Sequence, residues 1–83
     1  MTFGITLVSS VTSQAGSGSV SMTGTKVGDI VLRVYFANYS GGGYEDHSNS
    51  YEPIISTDDH IQQTTALAAS QSGTVILLRQ ISF

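Results

Sequence analysis

Three separate stretches of this chain read as β-strands, one by strict alternation of apolar and polar residues and two by apolar residues on both parities. In FGITLVSSVT, residues 3–12, Phe3, Ile5, Leu7 and Val11 share one parity, while Thr6, Ser10 and Thr12 share the other. That is the pattern of a strand with one buried face. DIVLRVYFA, residues 29–37, sets Ile30, Leu32, Val34 and Phe36 against Val31, Arg33, Tyr35 and Ala37. TVILLRQISF, residues 74–83, sets Val75, Leu77, Arg79, Ile81 and Phe83 against Ile76, Leu78, Gln80 and Ser82. The last two stretches are substantially apolar on both sides, as expected of a central strand or of one lying against a neighbouring subunit.

Breakers separate these runs. Residues 13–18 and 24–28 read as turns, and between them Val20 and Met22 alternate with Ser19, Ser21 and Thr23 as a short strand. Residues 38–50, NYSGGGYEDHSNS, form the longest breaker stretch, of a length that often carries function in compact domains. Residues 51–57 return to strand character, although Pro53 cannot donate to a ladder and favours an edge or a strand start. Residues 60–69 are ambiguous: Thr64 and Thr65 favour a strand, Ala66–Ala69 a helical turn, and the neighbouring pattern tips the balance to strand. Residues 70–73 are a turn. The expected fold is all-β: one domain over residues 1–83, an antiparallel sandwich or small barrel of about six or seven short strands, jelly-roll-like in kind.

Composition narrows what such a domain does. Charged residues make up 11% of the chain, against about 25% in typical soluble domains; Ser, Thr and Gly take their place. Only Lys26, Arg33 and Arg79 are basic and the net charge is −3, so no patch neutralises phosphates and nucleic acid is not an expected partner. No apolar run reaches the ~20 residues of a membrane-spanning helix, and Met1–Ile5 lacks the basic start of a secretory signal. The chain has no cysteine, which excludes disulfides and thiolate metal sites. At 83 residues the core is small, and such folds are commonly supplemented by disulfides, metals or oligomerisation. Oligomerisation is the supplement left open.

Catalytic and metal chemistry find little footing. Glu45, Asp46, His47 and Glu52, with Asp58, Asp59 and His60, match no metal-ligand spacing, and read as solvated loop charges. No G-x-S-x-G elbow accompanies the many serines. The glycines at 16, 18 and 41–43 are followed neither by a helix nor by Lys-Ser/Thr, so they read as turn glycines rather than phosphate cradles. No cofactor, metal or enzymatic activity is expected.

Recognition is the remaining class. Tyr39, Tyr44 and Tyr51, with His47, lie in or beside the long loop and form a candidate ligand or receptor contact, since tyrosine pairs an apolar ring with a hydroxyl. Val31, Arg33, Tyr35 and Leu78, together with Arg79, which like Arg33 sits on an otherwise apolar strand, form a candidate subunit interface.

The segments Val27-Gly28-Asp29-Ile30-Val31-Leu32-Arg33-Val34 and Ile55-Ser56-Thr57-Asp58-Asp59-His60-Ile61-Gln62-Gln63-Thr64 resemble small β proteins of tailed-bacteriophage virions. Those proteins run in the order of a Ser/Thr-rich first strand, a V-G-D-hydrophobic strand, a variable loop, an I-Q-Q-T segment and an apolar last strand, and this chain follows that order nearly throughout. The resemblance implies a β-sandwich built into a virion as a capsid decoration, tail or fibre component, commonly as a homotrimer among other virion proteins, with no catalytic residues. The competing expectation is a receptor- or glycan-binding tip that uses the 38–51 loop.

Overall fold

The structure, a computed structural model, describes residues 2–38 and 42–82. Among them the chain is all-β. Six strands run in the order β1 (Thr2–Thr12), β2 (Gly18–Ser21), β3 (Ile30–Asn38), β4 (Gly43–Asp46), β5 (His60–Gln63) and β6 (Ser72–Ser82), with one 3-10 turn at Ser48–Ser50. They form two antiparallel sheets, β1-β6-β3-β4 and β2-β5.

The alternation read from the sequence explains the larger sheet. β1 and β6 pair over their full lengths, from Thr2 opposite Ser82 to Thr12 opposite Ser72. Their inward parity supplies Leu7, Val11, Val75 and Leu77 to the core; Val34 and Phe36 come from β3, and Met22, Tyr51, Ile55 and Ile61 close it from the other side. At 11 residues and about 3.4 Å per residue, each strand of the β1–β6 ribbon is about 37 Å long, in a domain measuring 45 × 26 × 19 Å.

The two sheets are joined through residues 51–55. Tyr51 bridges Gln63 and Ile54 bridges Ile30. The Val31 amide donates to the Pro53 carbonyl (2.8 Å) and the Ile55 amide to the Asp29 carbonyl (2.9 Å). This segment was expected to be a strand and makes only isolated bridges, with Pro53 accepting rather than donating, as its ring requires. β5 stops at Gln63, and residues 64–71 are irregular, neither strand nor helix; Leu67 packs on the core from this stretch. The long breaker 38–50 contains strand β4 and the 3-10 turn.

β3 departs from the simple alternation. Its register with β6 shifts between Val31, opposite Leu77, and Arg33, opposite Ile76. Leu32 is the extra residue of a β-bulge, which moves the inward parity from Val31 to Val34 and Phe36. Ile30 and Leu32, which the alternation sets on one face with Val34 and Phe36, therefore do not share that face in the fold. Leu32 is 38% exposed and Val31 packs against the core.

Candidate interaction surface

Acidic residues hold the loops at one end of the domain. Asp29, at the start of β3, is buried, and Arg79 grips it at both carboxylate oxygens: Nε to Oδ1 at 2.9 Å and Nη2 to Oδ2 at 2.7 Å. The Lys26 amide donates to Oδ2 as well (2.9 Å), and Arg79 Nη2 donates to the Gly24 carbonyl (2.9 Å). The Arg79 hydrogen bonds hold the Asp29 carboxyl below the usual carboxylate range against the opposing effect of burial, and the same pairing raises the Arg79 pKa. Asp58 and Asp59, expected as solvated charges, accept from the amides of Val27 (2.9 Å) and Gly24 (2.8 Å) and so fasten the 24–28 turn.

A second network lies at Gln63. Its Oε1 accepts from the Gln14 amide (3.1 Å) and the Tyr51 hydroxyl (3.2 Å). Its Nε2 lies within 2.7, 2.9 and 3.0 Å of the carbonyls of Gln14, Gly16 and Thr65. One buried amide thus ties together two loops and β5. Tyr51 is 3% exposed, and burial pushes its hydroxyl up to about 12. Its assignment to a ligand contact is corrected: the ring lies in the core, 6.3 Å from Phe36.

His47 is likewise turned inward. Its ring meets Phe36 edge-on at 5.1 Å, and Nε2 lies 3.0 Å from Glu45 Oε2. Ser48 accepts from the Val34 amide (2.9 Å) and donates to Asp46, whose carboxyl these Ser48 contacts hold below its usual range. Tyr39 lies outside the described residues. Of the loop residues expected to contact a ligand, the described structure leaves Tyr44 exposed, at 76%.

The outward face of the four-stranded sheet gathers the remaining candidates. The register aligns Thr6, Leu78 and Ile30 in one rung; Val8, Ile76 and Arg33 in the next; Ser10, Thr74, Tyr35 and Asp46 in a third; and Ala37 with Tyr44 beyond. Val8 is 71% exposed, and Ile54 at 55% adjoins Ile30. Among the described residues Arg33 and Asp46 are the charged members of these rungs, and they lie 3.8 Å apart. Tyr35, Tyr44 and Thr74 line a cleft of about 260 Å³ on this face.

The structure therefore keeps Arg33, Tyr35 and Leu78 together on the outward face and separates Val31 and Arg79 from them. Val31 points to the core. Arg79 lies on the inward parity of β6 and is committed to Asp29 within the chain. Neither presents the outward side chain that an interface on this face requires.

No family model, curated protein or solved structure matches this chain. The outward face is thus defined by its own chemistry: among the described residues, apolar and tyrosine side chains interleaved with Thr6, Ser10 and Thr74, and one charge pair. Val8 and Tyr44, its most exposed large members, were not among the interface residues expected from sequence. Their place follows from the β1–β6 and β3–β4 registers, which are long-range pairings.

Proposed function

We propose that this protein is a non-enzymatic structural subunit that assembles with copies of itself through the outward face of the β1-β6-β3-β4 sheet, as a capsid-decoration, tail or fibre component of a virion. The observation that carries the assembly reading is that face. It exposes Val8, Ile54 and Tyr44 where the exposed face of an antiparallel sheet ordinarily carries polar residues, and its single charge pair is internally matched. Burying such side chains contributes about 25 cal/mol per Å² removed from water. The virion assignment, and a trimeric state, rest on the order of segments that resembles small phage β proteins.

The test is solution mass by light scattering after size exclusion across a hundredfold dilution. A discrete homo-oligomer is expected, with Val8→Glu and Tyr44→Glu each lowering the mass while leaving the thermal transition in place. A chain that is monomeric throughout, and that does not bind intact particles, would sink the reading.

The Tyr35–Tyr44–Thr74 cleft supports one other reading, a glycan- or receptor-binding tip. An exposed Tyr ring suits sugar stacking, and on this reading the contact would combine Tyr44, from the 38–51 segment first expected, with Tyr35 and Thr74 of the sheet. Glycan-array binding abolished by Tyr44→Ala with no change in mass would favour it over assembly.

A further inference from the structure

β1 and β2 run side by side without pairing. The chain reverses over residues 13–17, and the Ser9 hydroxyl donates to the Thr23 carbonyl at 3.4 Å, so β2 runs back along β1. Among the described residues no ladder and no main-chain hydrogen bond joins the two strands. A groove of about 540 Å³ lies between residues 9–12 and 19–21, bounded at one end by the 13–17 turn and at the other by the Ser9–Thr23 contact.

The registers decide which main-chain groups meet this groove. The Ser13 amide donates to the Gln71 carbonyl (2.8 Å), one step beyond the pairing of Thr12 with Ser72. Successive residues of a strand alternate in the side to which they send N–H and C=O. Val11 therefore turns these groups to β6, and Ser10 and Thr12 turn theirs away from it. The Met22 amide donates to the Asp59 carbonyl (2.8 Å), one step beyond the pairing of Ser21 with His60. By the same alternation Val20 bonds to β5, and Ser19 and Ser21 turn away from it. The side chains of these four residues are exposed, whereas Val11 is buried and Val20 packs against the core. Among the described residues no charged or aromatic side chain lines the groove.

We propose that the groove binds an uncharged peptide segment as an extended strand inserted between β1 and β2, its buried portion reading polar–apolar–polar. At a strand spacing of about 4.8 Å, a rise of about 3.4 Å and a sheet thickness of about 10 Å, the groove holds about three such residues, and the peptide beyond them turns out to solvent. Running antiparallel to β1, the first and third residues exchange N–H and C=O bonds with Thr12 and Ser10. The same direction is parallel to β2, so the second residue donates to the Ser19 carbonyl and accepts from the Ser21 amide, the slanted pattern of parallel neighbours. Laterally adjacent residues share a face. The second side chain therefore points inward between Val11 and Val20 and is apolar, while the first and third lie outward beside Thr12 and Ser10. One chain direction satisfies both edges and both faces at once. A sugar has no ring to stack on here. The site is separate from the outward face of the larger sheet and does not depend on the virion assignment.

The probe is a capped peptide, Gly-Ser-Thr-Val-Thr-Ser-Gly, titrated into isotope-labelled protein and followed by NMR. Saturable amide shifts and slowed hydrogen exchange are expected at Ser10, Thr12, Ser19 and Ser21, with Tyr35 and Tyr44 on the outward face unmoved. The same peptide N-methylated at its valine cannot donate to the Ser19 carbonyl and is expected to shift none of them. Ser21→Pro removes the amide that the peptide carbonyl needs but no ladder bond to β5, a setting in which an edge strand tolerates proline. Loss of the shifts is expected, with the thermal transition kept. The proposal is overturned by the absence of saturable shifts at those amides, by equal shifts from the methylated peptide, or by shifts from a neutral oligosaccharide such as maltohexaose where the peptide gives none. The comparison of the two peptides stands even if Ser21→Pro fails to fold.

Discussion

Gly73 lies under the ring of Phe36. A Cβ added there falls 2.6 Å from Phe36 Cε1 and 2.8 Å from Cδ1, and the ring is itself buried at 1% exposure. Gly73→Ala is expected to destabilise the domain by about 1–3 kcal/mol through overpacking, measured by urea denaturation. Gln63 is a residue of the same kind, fixed by its surroundings. Gln63→Glu places a carboxylate oxygen among three carbonyls that now accept from Nε2; the loss is expected to be about 2–4 kcal/mol, since the substitution removes buried hydrogen bonds and adds a buried charge. Asp29 adds a pH dependence. Its folded pKa lies below that of the unfolded carboxylate, so the folded state binds fewer protons. Its contribution is fully present above about pH 4 and is lost as the pH falls through the folded value. Asp29→Asn is expected to lower stability at pH 7 by about 3 kcal/mol, the low end for a broken buried pair, because Arg79 keeps 26% of its side-chain surface exposed. The variant should also flatten the acid limb of a stability-against-pH curve.

At the scale of the element, the bulge in β3 decides which side chains the core receives. Leu32 is the residue that the register skips. Leu32→Asp is therefore expected to cost less than about 1 kcal/mol, as surface changes do, whereas Val34→Asp, two residues on and fully buried, is expected to cost about 4 kcal/mol or more. Chemical denaturation of the two variants separates a bulged β3 from a regular one: equal losses would mean that Leu32 faces inward after all. The bulge also aims Arg33 outward toward Asp46, and Ser48 anchors the chain after β4 to β3 through the Val34 amide. The stretch that read as one long loop is mostly committed to supporting β3.

For the whole molecule, the distribution of charge distinguishes two ends and two faces. Asp29, Arg79, Asp58 and Asp59 fasten the turns at one end. The outward face carries one solvent-exposed pair, Arg33 with Asp46, of a kind that contributes little to stability. Assembly through this face is expected to be insensitive to salt between ~50 and ~500 mM, because apolar burial is not screened and exposed pairs are. Sedimentation at the two salt concentrations checks this; a steep salt dependence would mean that charge, not the apolar rungs, drives association. Arg79→Glu should behave oppositely to an interface variant, unfolding the chain by setting a carboxylate against buried Asp29 rather than leaving a folded monomer.

Period-two alternation determined the all-β class and most of the strands of the larger sheet, because a pleated strand must send successive side chains to opposite faces and only one face of this sheet meets the core. It located β1, β3 and β6 to within a residue or two, and it placed Arg33, Tyr35 and Leu78 on the non-core side. Composition set the near absence of charge that the outward face displays. Tertiary structure alone decided the rest. Whether Arg79 pointed to a neighbour or to Asp29 depended on a pairing across fifty positions of sequence. Tyr51 became a core residue because Gln63 came to meet its hydroxyl, and one extra residue in β3 reversed a parity that local pattern carries straight through. Those outcomes follow from long-range register and burial, which a local alternation of residue types does not encode.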